Sequence, residues 1–241
     1  WQFGPLCDGD TPLLPHEDLK LLAEFTATDE WVLEPGDILY VPPGFAHNGV
    51  AVGSDCMTYS VGFRAPSRSD LLGHFVDDIL DGIPDDELYR DPDLARQANP
   101  GEILRDALGR LQQMMLESLS DPASFARWFG TFNSTPKYAE MDWQPETPVE
   151  PEDVRASIND AVPLLRNPAS RMVFIANGDD AVMLFADGIC FDCVGETAAL
   201  ARSVCAQDSV ILDAALASAP AVVDLLTQLC NMGCIAFESE E

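Results

Sequence analysis

One stretch limits what this chain can fold into more than any other: residues 33–47, LEPGDILYVPPGFAH. Pro35 and Gly36 occupy the second and third positions of a four-residue turn, the pattern of a type II turn. Ile38–Val41 is a short apolar run and predicts a buried strand, which Pro42-Pro43-Gly44 then ends. His47 follows three residues later, just before a further apolar run. The local order is turn, strand, turn, which places the histidine at a corner of a β-rich domain, facing a barrel mouth. Read alone, such a histidine is either a hydrogen-bonded residue of the corner or a metal ligand.

A second strand is expected over Cys56–Phe63, where the residues alternate, with Arg64–Ser67 closing it. Residues 1–66 therefore read as β-rich. From Ser67 the period becomes helical: Leu71, Leu72, Phe75, Val76, Ile79 and Leu80 share one face, with Ser67 or Ser69 as cap. An acidic loop spans residues 85–93. Pro100-Gly101-Glu102 is expected to open a longer helix through Leu119, whose wide apolar stripe must pack on its own chain or on a second copy. Ser124–Phe132 reads as a short aromatic helix, and Met114 and Met115 as core filler.

Residues 142–151 are rich in proline and acid, a linker signature. Beyond it, residues 171–176 and 181–186 read as strands, and Asp187-Gly188 as a two-residue hairpin turn into 189–193. Helical patterns follow at 196–206, 209–217 and 220–231, with a closing strand at 235–237. Small helices with a hairpin make a winged-helix-like unit. The division is thus 1–66, 67–146 and 147–241, in an α+β chain.

The chain has 241 residues, with 13 Lys and Arg against 41 Asp and Glu, a formal net charge of −28. Such a surface repels phosphate backbones and attracts basic partners, so nucleic acid is disfavoured and a basic protein favoured. No apolar run is long enough to cross a membrane. Seven cysteines and no export signal fit reduced thiols in a cytoplasmic protein.

Three further groups of residues invite a chemical reading. His16-Glu17-Asp18 supplies H-x-D and, with His47, the composition of a two-histidine, one-carboxylate iron site. Its setting argues against that use, because it lies in a loop that runs into a helical turn at Leu19–Glu24. Cys190, Cys193, Cys230 and Cys234 have the number and type of zinc ligands. However, two lie on one strand, where alternate residues face opposite ways. His74 sits among the apolar residues of a helix and reads as structural. No P-loop, dinucleotide fingerprint or nucleophile elbow is present.

LEPGDILYVPPGFAHNG (33–49) and MTYSVGFRAP (57–66) closely resemble the distal half of the JmjC-type, cupin-fold domain of ribosomal oxygenases. The likeness extends through MMLESLSDPASFARWFG (114–130) and LLTQLCNMGCIAFE (225–238), and so covers nearly the whole chain. It is greatest to bacterial members that hydroxylate an arginine of a large-subunit ribosomal protein. The resemblance implies a double-stranded β-helix, here partial, then a helical dimerisation region and a C-terminal winged-helix-like domain. It implies Fe(II)- and 2-oxoglutarate-dependent hydroxylation, a basic ribosomal protein as substrate, and a homodimer.

The resemblance makes His47 the distal metal ligand and sets Thr58 and Ser60 on the inward face of the next strand, lining the 2-oxoglutarate pocket. The family's own H-x-D pair, and the basic residue that grips the cosubstrate, correspond to sequence upstream of Trp1. On this reading the 241 residues are the distal part of the enzyme. They keep one ligand of three, do not bind the cofactors and are inactive alone. The competing expectation is a non-catalytic, dimeric protein-interaction module.

Overall fold

In the computed structural model, Trp1–Ala65 and Pro66–Glu241 are two compact units. Residues 17–18, 63–64, 84–87, 93–95, 138–140 and 239–241 are not described here, and part of the acidic loop falls among them.

The first unit is built around β1 (Gln2–Leu6), followed by β2 (Leu13–Leu14), β3 (Leu21–Leu22), β4 (Asp29–Glu30) and β5 (Phe45–Asn48). β1 is the middle strand of a sheet ordered β4-β1-β5, and β2 pairs with β3. Both flanking strands run antiparallel to β1, with Phe3 opposite Asp29 on one side and His47 on the other. Gly4 is required where the sheet is tightest. A Cβ there would lie 3.0 Å from both the Ala46 Cβ and the Phe25 ring.

Three local expectations fail here. Ile38–Val41 forms no strand, and residues 57–62 join no ladder. A strand exists only where its backbone groups find a neighbour, and neither segment is paired in a sheet. Ile38, Tyr40, Met57, Tyr59 and Val61 are accordingly exposed. The helical turn expected after His16 is instead β3, paired with β2 through Leu13–Leu22 and Leu14–Leu21.

The second unit begins with α1 (Arg68–Gly82), capped by Ser67, one of the two serines expected there, whose hydroxyl accepts from the Asp70 amide in a capping box. α2 (Arg105–Leu119) starts later than expected. Asn99 holds a turn there, its carbonyl accepting from the Glu102 amide and its side-chain oxygen from the Gly101 amide. No residue of α2 is buried. α3 (Pro122–Ser134) is capped by Asp121 and buries Trp128, which meets Phe75 and Phe132 at 4.9 and 5.3 Å between ring centroids.

Then come α4 (Pro151–Asn159), β6 (Leu164–Arg166), β7 (Met172–Ala176), β8 (Ala181–Ala186), β9 (Ile189–Val194), α5 (Glu196–Ala206), β10 (Ser209–Val210), α6 (Pro220–Asn231) and β11 (Ile235–Phe237). The helix expected over 209–217 is replaced by β10 and a short 3-10 helix at Ala214–Ser218. Asp213 begins that 3-10 helix by capping the Ala215 amide. α4 falls where the linker was expected to end.

β7, β8 and β9 form one antiparallel sheet, and β10, β6 and β11 another. One face of the β7–β9 sheet joins the main core through Met172, Val182, Leu184, Ala186 and Cys193, against Leu200, Ala201 and Val204 of α5 and Val222, Leu226 and Leu229 of α6. α3 covers the other face. A Cβ on Gly130 would come within 2.2 Å of the fully buried Phe185 ring, so only glycine lets α3 lie this close. Arg127 holds the same contact from the side, with Nη2 2.8 Å from an oxygen of Asp192. The hairpin turn takes positive φ at both central residues, Asp187 (46°) and Gly188 (86°), as its sequence requires. This helix-and-hairpin arrangement is the winged-helix-like unit expected.

Candidate functional site

His47 lies within a strand, not just past a turn. Two turns lead to it. In the first, Gly36 has φ 96°, the Glu34 carbonyl accepts from the Asp37 amide at 3.0 Å, and the Asp37 carboxylate accepts from the Glu34 amide at 2.8 Å. In the second, Gly44 has φ 83°, and its carbonyl accepts from the Cys7 amide at 2.8 Å, which fastens the end of β1 to the start of β5. Alternation then turns Ala46 inward, where it is 5% exposed, and His47 onto the opposite, open face.

The imidazole is oriented on one side. Its Nδ1 lies 3.0 Å from the Phe45 carbonyl oxygen. A carbonyl only accepts, so Nδ1 is the donor in this contact, and in the neutral ring Nε2 is then the acceptor. Fixing one ring nitrogen in this way is how metal-binding histidines are aligned. The Trp1 indole stacks beside the ring, with centroids 6.2 Å apart. A polar row crosses the sheet next to it: Asn48 Nδ2 donates to Gln2 Oε1 at 3.0 Å, and Gln2 Nε2 donates to Glu30 Oε2 at 3.3 Å.

The other candidates stand apart from this arrangement. Thr58 and Ser60 are exposed, and no hydrogen bond among the described residues joins them to His47. Nδ1 of His16 accepts from the Leu19 amide at 3.0 Å, and Asp18 lies outside the described residues. His74 packs against Phe132, with ring centroids 5.2 Å apart, as a structural residue.

The four candidate zinc thiols do not converge. Cys190 receives a hydrogen bond from Arg127 on the α3 face of the sheet, while Cys193 is buried in the core on the other. Cys234 Sγ contacts the Asp187 carboxylate at 3.3 Å. Burial pushes the Cys230 and Cys234 thiols up to about 12, which disfavours the thiolate a metal needs. Among the described residues, no group of three His, Cys, Asp or Glu could hold a metal ion. His47 therefore presents an oriented ring, the described residues around it do not make up a metal-ligand set, and no reaction step through iron follows from them.

The contacts that fix α3 on the sheet, Gly130 over Phe185 and Arg127 with Asp192 and Cys190, were not foreseen. A glycine within an aromatic helix, WFG at 128–130, is the signal that points to the first of them.

Comparison with known proteins agrees with both parts of the chain. Residues 1–71 match the JmjC domain family, and residues 117–236 match the ROXA-like winged helix. The ribosomal protein uL16 3-hydroxylase of Escherichia coli is 35% identical over 226 residues, covering 93% of this chain and 58% of that protein. A probable ribosomal oxygenase of Haemophilus influenzae is 31% identical over 143 residues, 54% of this chain and 33% of that protein. The crystal structure of the Escherichia coli ribosomal oxygenase YcfD superposes with a TM-score of 0.80 at 30% identity, over 99% of this chain and 61% of that one. A structure of YcfD in complex with cobalt and 2-oxoglutarate superposes with a TM-score of 0.78 at 32% identity, over 92% of this chain and 60% of that one. The chain thus spans less than two thirds of the length of these relatives.

Proposed function

We propose, on the premise that this chain belongs to the JmjC-type ribosomal oxygenase family, that it serves Fe(II)- and 2-oxoglutarate-dependent hydroxylation of a ribosomal protein. The target is an arginine of a basic large-subunit protein, drawn in by the net charge of −28. The observation that carries this reading is His47, presented on the open face of β5 with Nδ1 bound to the Phe45 carbonyl and Nε2 without a hydrogen bond among the described residues. Bound iron with 2-oxoglutarate and oxygen supplies the oxidising power to hydroxylate an unactivated carbon. The chain's own part is to orient one ligand. Thr58 and Ser60 line the cosubstrate pocket in the complete barrel, and the H-x-D ligands come from sequence corresponding to the region upstream of Trp1.

It follows that residues 1–241 alone do not turn over. The test incubates them with Fe(II), 2-oxoglutarate and a basic large-subunit ribosomal protein, and measures succinate and oxygen incorporation by mass. No succinate is expected. The same segment joined to an upstream JmjC half should be active, and His47→Ala there should abolish activity. Succinate from the 241 residues would overturn the assignment and return His16 and Asp18 to the ligand set.

A second reading, a dimeric interaction module without catalysis, is favoured by one feature. Leu108, Leu111, Met115 and Leu116 of α2 are all exposed, an apolar stripe that a second copy would cover. Light scattering should find a dimer, and substituting these residues with polar ones should dissociate it.

A further inference from the structure

The outer edge of β7 has no strand beside it among the described residues. The register shows which of its backbone groups are free. The Asn177 amide donates to the Ala181 carbonyl, and the Asp187 amide to the Arg171 carbonyl. With Val173 opposite Phe185 and Ile175 opposite Met183, the bonded pairs are 171–187, 173–185, 175–183 and 177–181. The N–H and C=O groups of Met172, Phe174 and Ala176 therefore point away from β8. No hydrogen bond from any described residue reaches them. Phe174 is 38% exposed at this edge.

The same edge borders a cleft of about 500 Å³ between the sheet and the start of α3. Ile175, Met183 and Ala126 give it apolar walls, and Asp121 and Asp192 line it with carboxylates. Asp192 is already paired with Arg127. Asp121 is held ionised, because the Ser124 hydroxyl and the Ala123 and Ser124 amides donate to it. One negative charge therefore remains over an apolar floor, which matches a lysine or arginine: an aliphatic stem with a cationic head. Asp179 and Asp180 lie in the turn at the end of the strand.

We propose that the open edge of β7 takes an extended basic peptide segment as a fourth strand, with one of its cationic side chains in the adjacent cleft. Backbone pairing supplies affinity and the cleft supplies selectivity, as in other strand additions. Charge decides the occupant. Residues 66–241 carry 11 Lys and Arg against 31 Asp and Glu, a net charge of −20, so a second copy is repelled where a basic segment is attracted. This inference is independent of His47 and of the hydroxylase reading.

The test uses the 241-residue chain and a short labelled peptide of alternating lysine and valine. Controls are the glutamate–valine counterpart and a lysine–valine peptide N-methylated at every other residue. Binding is expected for the first peptide only. It should slow hydrogen exchange at the Phe174 and Ala176 amides. Ala176→Pro removes an outward-facing donor and no bond to β8, so it should keep the fold and weaken binding about tenfold or more. Asp121→Asn keeps the helix cap and should weaken binding of the lysine peptide. Equal binding by Ala176→Pro or by the N-methylated peptide would show diffuse charge attraction and overturn the proposal. So would failure of the lysine–valine peptide to bind, or self-association of the free chain that Ala176→Pro abolishes.

Discussion

Gly130→Ala tests whether α3 is held on the β7–β9 sheet by close approach. The new Cβ would lie 2.2, 2.3 and 2.5 Å from Cζ, Cε2 and Cε1 of Phe185. Carbon atoms pack at about 3.5 Å or more, so ring and helix must separate by roughly 1 Å. The ring cannot swing aside. Phe185 is fully buried on the middle strand, paired with Val173 on one side and Cys190 on the other. Overpacking of this kind costs about 1–3 kcal/mol. Alanine in a helix returns about 1 kcal/mol relative to glycine. The clash should win, with a net loss of up to about 2 kcal/mol, because the neighbouring atom is a buried ring and not the end of a mobile chain.

Urea unfolding should show a lower midpoint at unchanged slope, and thermal unfolding should shift down by about 2–4 °C per kcal/mol for a unit of this size. Gly109→Ala in α2 is the control. A Cβ there meets nothing within 4 Å, so it should stabilise by up to about 1 kcal/mol. Gly130→Ala combined with Phe185→Leu should be markedly less destabilised than the sum of the single changes, since the two residues share one contact. If Gly130→Ala alone matched or exceeded the parent in stability, the helix would not be seated as described.

Three further outcomes follow from single residues. Ser134 is fully buried and its hydroxyl accepts from the Gly188 amide at 3.1 Å; Ser134→Ala leaves that amide unsatisfied and should cost about 1–3 kcal/mol in urea unfolding. Burial raises the thiols of Cys230 and Cys234 from 9.0 to about 12, so in the native protein exposed Cys56 should be alkylated first, read by peptide mass. Their neutral forms are favoured by folding, so that contribution to stability is whole below about pH 9 and fades as pH rises towards 12. The Ser124 hydroxyl, then the Ala123 and Ser124 amides, hold Asp121 below its ordinary 3.8. That contribution is present above this value and lost as pH falls through the lowered one, so the acid limb of the stability profile should flatten in Asp121→Asn.

What was legible in the sequence was the local chemistry that needs no distant partner. The Asp187-Gly188 turn, the Ser67 cap and the helical period of 220–231 are each set by neighbouring residues. Other segments depended on context. Ile38–Val41 has strand composition, but a strand also needs a paired neighbour, and this segment has none in the sheet. Pro151 falls in a stretch of linker composition, yet it occupies the first turn of α4, where proline is favoured, and Glu150 and Asp153 complete a capping box around it. The 209–217 pattern failed because Asp213 caps a new turn in its middle. At the site, the motif around His47 was legible through its likeness to a family. The orientation of its ring by the Phe45 carbonyl was not, because that bond depends on side-chain placement.

The two units also differ in what their apolar residues accomplish, and the difference bears on function. Val154, Leu184, Val222, Leu226 and their neighbours form a continuous core in residues 66–241. In residues 1–65, Ile38, Tyr40, Val50, Val52, Met57, Tyr59 and Val61 all face solvent. Oxidation of an unactivated carbon requires a dry pocket and a fixed ligand set. His47 is proposed to meet part of the second requirement, since its ring is aligned by the Phe45 carbonyl and Nε2 has no hydrogen bond among the described residues. On an open three-stranded sheet it does not meet the first. The chain therefore carries a stretch that matches the family's JmjC domain and a helical and winged-helix-like unit with a continuous core of its own. The proposed oxidation would need a closed barrel that covers those apolar side chains around a full ligand set.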